Sequence, residues 1–120
     1  MIVNEKSNLL IVYFETGEEV INQISNIIRE YKLIDAKISG YGYLERIEYG
    51  VLSQIDPFFL SKHLQEGLIT VTDFLGMIEN REFNIMVSSV DSNFLRHQGK
   101  LISGIVINSF TLILEILTTE

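Results

Sequence analysis

A chain of 120 residues makes one domain of ordinary size, and at that length folding buries about two-thirds of its surface without disulfide or metal staples. The 47% apolar and 21% charged fractions describe a globular chain, and the absence of cysteine excludes disulfides, thiolate metal sites and cysteine nucleophiles. A formal charge of −7, spread along the chain, weighs against partners held through phosphate, whether nucleic acid or anionic lipid.

The N-terminus lacks the basic and apolar regions of a signal peptide, so a cytoplasmic protein is expected. Asn8–Phe14 is short, β-branched and aromatic, and reads as a buried strand. Thr16 and Glu19 then have the spacing of a capping box, in which hydroxyl and carboxylate each satisfy a free helical N–H. Behind them Val20, Ile21, Ile24, Ile27, Ile28 and Tyr31 recur at helical spacing, which predicts one long amphipathic helix of about four turns. Ile34–Leu44 and Glu45–Leu52 read as two strands, and Gly40 and Gly42 inside the first imply a bulge or a close backbone approach. Asp56-Pro57 marks a turn. Phe58–Leu64, Leu68–Phe74, Phe83–Val90 and Ile105–Ile116 are four further strands, with a turn at Asn80-Arg81-Glu82 and a polar loop over Asp91–Gly99. Leu101–Leu117 is interrupted by Ser103, Asn108, Ser109 and Glu115, a pattern of buried strands and not of a membrane span. One helix among many short strands predicts a single α+β domain over residues 1–120, built on a mainly antiparallel sheet.

Three stretches resemble the PPC (plants-and-prokaryotes-conserved) domain, known from plant AT-hook nuclear proteins and as a stand-alone prokaryotic domain. They are ETGEEVINQISNIIREYKLIDAKISGYGYLERIEYGVL, GLITVTDFLGMIEN, and FNIMVSSVD followed by HQGKLISGIVINSFTLILEI. The resemblance implies a sheet-and-helix protomer that assembles as a homotrimer. It also implies a cluster of histidines, and here the chain departs from it. Asn84 and Met86 stand where the family keeps the two histidines of a strand, and Lys100 where it keeps the histidine of a Gly-Gly-His-Leu turn. A thioether suits hard cations poorly and a lysine adds a like charge, so no metal and no cofactor are expected.

Arg96-His97-Gln98-Gly99-Lys100 places two permanent cations and an imidazole around a glycine, a pattern that can hold a carboxylate or phosphate. Asn84, Ser88, Arg96, His97 and Lys100 are therefore the candidate ligand-binding residues. The simpler reading of that segment is a solvated basic loop, and His63 and His97 read as solvated loop histidines with no acidic partner. Ser88, Ser89 and Ser103 lack the nucleophile elbow of a hydrolase, and Gly40-Tyr41-Gly42 lacks the third glycine of a dinucleotide loop, so no catalytic residue is assigned. The expectation is a non-catalytic homotrimer that binds a small anion or a protein partner. A DNA-associated regulator and an enzyme acting on a small anionic substrate at a subunit boundary are the alternatives.

Overall fold

The computed structural model describes residues 1–120. Its elements run β1 (Ile2–Lys6), β2 (Leu9–Phe14), α1 (Val20–Glu30), β3 (Leu33–Gln54), β4 (Phe59–Glu79), β5 (Glu82–Asp91) and β6 (Arg96–Thr119). Every strand pair is antiparallel, in the order β1-β2-β6-β3-β4-β5. The first residues of β6 also pair with β5, so β3, β4, β5 and β6 close into a ring. The far end of β6 carries β2 and β1 as an open wing. This is the expected single α+β domain on an antiparallel sheet. No helix is long and apolar enough to cross a membrane.

Two pairs of expected strands are single long ones. Ile34–Leu44 and Glu45–Leu52 run on as β3, and Phe58–Leu64 and Leu68–Phe74 as β4. Bulges explain the misreading: the β3–β4 register shifts between Ser39 and Gly42 and between Leu44 and Arg46, opposite Gly67 with φ 125°. An extra residue moves the alternation to the other face, so one bent strand looks like two straight ones. The structure also adds β1, an edge strand of mostly exposed residues that has no apolar alternation to mark it.

The helix is shorter than expected, 11 residues and so about three turns, and Thr16 does not cap it. Glu19 does: its carboxylate accepts from the N–H groups of Ile21 (2.9 Å) and Asn22 (3.0 Å). The same carboxylate accepts from Gly104 N–H at 2.9 Å, tying the helix start to β6, while the Thr16 hydroxyl oxygen accepts from Asn108 N–H. Val20, Ile24, Ile27 and Ile28 are buried, as their spacing dictates.

The core centres on Phe110, whose ring meets Phe74 edge-on at 5.1 Å and Phe14 at 5.8 Å. The expected close approach at Gly40 and Gly42 is real. A Cβ on Gly42 would lie 2.5 Å from the Phe110 Cα, and one on Gly40 would lie 2.9 Å from the Thr111 carbonyl oxygen. Only glycine lets β3 cross this close to β6.

Candidate functional site

The segment Arg96–Lys100 is the start of β6 and not a loop; the loop shrinks to a tight turn after Asp91. A strand sends alternate side chains to opposite faces, and this decides what the segment can do. Met86 pairs with Lys100, Ser88 with Gln98 and Val90 with Arg96, on the outward face of the β5–β6 ladder. Ser88 Oγ donates to Gln98 Oε1 at 3.3 Å, and Thr72 Oγ1 donates to the Ser88 carbonyl at 3.0 Å. With Asp73 and Arg96 these residues line a polar hollow of about 320 Å³. Arg96 and Lys100 are exposed, and neither has a carboxylate within ion-pair distance.

Of the five candidate residues, the structure brings Ser88 and Arg96 together in this hollow, with Lys100 beside Met86 further along the same face. Asn84 is exposed beyond the end of the β5–β6 ladder, opposite Met77 of β4. His97 faces the other way. Nowhere do three or more His, Asp or Glu side chains converge as metal ligands would.

The inward face holds a group that the sequence does not disclose. His97 Nε2 lies 2.8 Å from Asp91 Oδ2, and His97 Nδ1 lies 3.0 Å from the Tyr49 hydroxyl. Because the carboxylate accepts, Nε2 carries a proton, and in the neutral ring Nδ1 accepts from the phenol. The other Asp91 oxygen accepts from Asn93 N–H (2.8 Å) and Leu95 N–H (3.1 Å), fastening the turn between the strands. Tyr49 stacks against His63 at 5.4 Å. His97 is thus a largely enclosed histidine with an acidic partner, and His63 lies on β4; neither is a loop histidine. Alternation through Val87, Ser89 and Asp91 marks Asp91 as inward-facing, and His97, paired with Ser89, is its diagonal neighbour across the hairpin. Tyr49, 48 residues away, leaves no local signal.

Burial raises the Tyr49 pKa, so the phenol stays protonated at neutral pH and can donate to the imidazole. The hydrogen bond from His97 holds the Asp91 carboxyl below its usual range, helped by the two turn N–H groups and opposed by desolvation. Asp91 therefore stabilises the fold above about pH 4, and that contribution is lost as pH falls through its depressed pKa. Asp91→Asn keeps an oxygen for the turn but loses the charge. Thermal melts from pH 6 down to pH 3 should fall more steeply for the wild type than for the variant. Parallel curves would remove Asp91 from the acid response.

No family model matches the sequence, and no curated protein matches it significantly. Solved structures do match in fold. A candidate DNA-binding protein from Bacteroides thetaiotaomicron superposes with a TM-score of 0.89 at 13% identity, over 98% of this chain and 85% of its own. A PPC protein from Pyrococcus horikoshii gives 0.82 at 18%, over 98% and 82%. A metal-containing protein from Archaeoglobus fulgidus gives 0.83 at 17%, over 100% and 87%.

Proposed function

We propose that this chain, which has the PPC-like fold, is a non-catalytic homotrimer that binds a small anionic ligand on the outward face of β5–β6. The observation that carries the reading is the pair of unneutralised cations, Arg96 and Lys100, on one face beside the Ser88–Gln98 hollow. What favours a carboxylate or phosphate is that two of the nine Lys and Arg residues of a −7 chain share one face with neutral donors. Asp73 in the same hollow disfavours a bare dianion and fits a ligand that also offers a donor. Assembly is supported by the apolar end of the molecule. Beyond the Gly50–Lys100 pair β6 no longer flanks β3, and the tip of the β3–β4 hairpin stands as a two-stranded arm. Val51, Leu52, Ile55, Phe58 and Phe59 on this arm are exposed, and so are Phe94 and Leu95 of the β5–β6 turn. Exposed apolar clusters of this kind mark interaction surfaces.

The test is a thermal-shift series with citrate, phosphate and amino-acid carboxylates on the wild type and on Arg96→Gln/Lys100→Gln. An anion-dependent rise in melting temperature is expected, with at least a tenfold higher half-saturation in the variant, since each charged hydrogen bond contributes about 1.5 kcal/mol or more. An unchanged response in the variant would move the ligand elsewhere. The DNA-associated alternative requires more than two free cations on a face. Salt-sensitive, micromolar binding of an oligonucleotide, lost in the same variant, would put it in place of the small-ligand reading.

A further inference from the structure

A second cavity, of about 470 Å³, lies at the opposite end of β5, between the end of α1, the start of β3 and the β4–β5 turn. Three of the chain's nine Lys and Arg residues line it: Arg29, Lys32 and Arg81. Its floor is apolar, made of Leu33 and Ile28, both buried, and Phe83, which packs against the core. The sequence singles out Asn80-Arg81-Glu82 only as a turn and gives none of these cations a role.

Local backbone geometry sets the rim. Lys32 (φ 53°) takes the chain out of the helix in a left-handed conformation, and Asn80 and Arg81 (φ 48° and 71°) form a tight left-handed turn. Asp35 Oδ1 accepts from Asn80 N–H at 3.0 Å and the Ile34 carbonyl accepts from Arg81 N–H at 2.9 Å, so the turn is docked onto β3. The three cations are therefore held around one opening by fixed backbone.

The site already holds a carboxylate. Glu120 Oε1 accepts from Arg81 at 2.8 and 3.0 Å, and Glu120 is the only acid lining the cavity. Arg29 and Lys32 make no ion pair. The ordinary role for basic groups at a helix C-terminus is to offset its dipole, which is equivalent to about half a negative charge. After that half charge is set against them, the lining side chains, three cations and one carboxylate, still carry a net positive charge over an apolar floor. We infer that the cavity binds an anionic amphiphile, a single carboxylate or phosphate group on a short apolar body, and that the Glu120 side chain competes for it. The charged group would sit on Arg81, Lys32 and Arg29, and the apolar body on Phe83, Ile28 and Leu33.

The experiment is an amide ¹H–¹⁵N NMR titration of the whole chain with octanoate, with inorganic phosphate and with neutral octanol. Octanoate should produce saturable shifts confined to the neighbourhood of Ser25, Lys32, Arg81 and Phe83. Phosphate and octanol, each carrying half of the recognition, should bind there at least tenfold more weakly. Arg29→Gln/Lys32→Gln removes two exposed cations without touching the turn and should weaken octanoate at least tenfold. Glu120→Gln should strengthen it several-fold. Both responses leave the Arg96–Lys100 face untouched, so success or failure here is independent of that site. Shifts that are absent or scattered, octanol binding as well as octanoate, or indifference to all three substitutions would each overturn the proposal.

Discussion

Light scattering on a size-exclusion column should give a mass three times the 13.7 kDa of the chain. The expected contact is the apolar end, where Ile55 and Phe94 are 78% and 86% exposed in the isolated protomer. An arm of two strands with no third neighbour is at best marginally stable in water, and self-assembly would give Phe58 and Phe59 the cover that the protomer lacks. Cyclic closure leaves no copy of such a surface uncovered. Phe58→Glu/Phe59→Glu places two charges on side chains already exposed in the protomer, so folding should survive and assembly should not. The variant is expected at the monomer mass with an unchanged far-ultraviolet circular dichroism spectrum. A wild type that runs as a monomer refutes assembly, a dimer refutes the trimer, and a double variant that stays trimeric moves the contact away from the arm.

Leu114→Glu should abolish folding, whereas Ile113→Glu should leave a folded chain. These neighbours on β6 pair with Leu10 and Ile11 of β2, and with Ile38 and Ser39 of β3. Leu114 is 0% exposed and belongs to the core, but Ile113 is on the other face and is half-buried. A polar group moved into the interior without a partner costs roughly 2–7 kcal/mol and an ionised one more, while a domain of this kind is stable by about 5–15 kcal/mol. Leu114→Glu adds the loss of the leucine's own packing, typically 2–5 kcal/mol, which exhausts the margin. Urea unfolding followed by fluorescence of the five tyrosines is the measurement. A cooperative transition for Leu114→Glu near the wild-type midpoint would contradict the core assignment. If Ile113→Glu is folded but monomeric, β6 contributes to the subunit contact as well.

Local patterns that repeat along the chain were legible in the sequence. The apolar stripe from Val20 to Ile28 defines the buried face of α1, because helical period and burial are set within a few turns. Gly40 and Gly42 announced the close approach of β3 to β6, because little besides backbone fits there. The order of the Gly-rich pieces was enough to anticipate a PPC-like fold that solved structures share. Features made by two distant segments were decided only by tertiary structure. Thr16 had the right spacing for a helix cap, yet Glu19 won the position because its carboxylate also reaches Gly104 N–H, 85 residues away. Arg96–Lys100 looked like a polar loop because Gly99 and its charged neighbours show no apolar alternation. It became a strand because Gly99 can lie against the Gly50 carbonyl, where a Cβ would come within 2.4 Å. That strand then split the candidate residues, sending Arg96 and Lys100 outward and His97 inward onto Asp91 and Tyr49. Which face a side chain occupies depends on register, and register here is set by bulges and cross-strand neighbours that no single stretch of sequence contains.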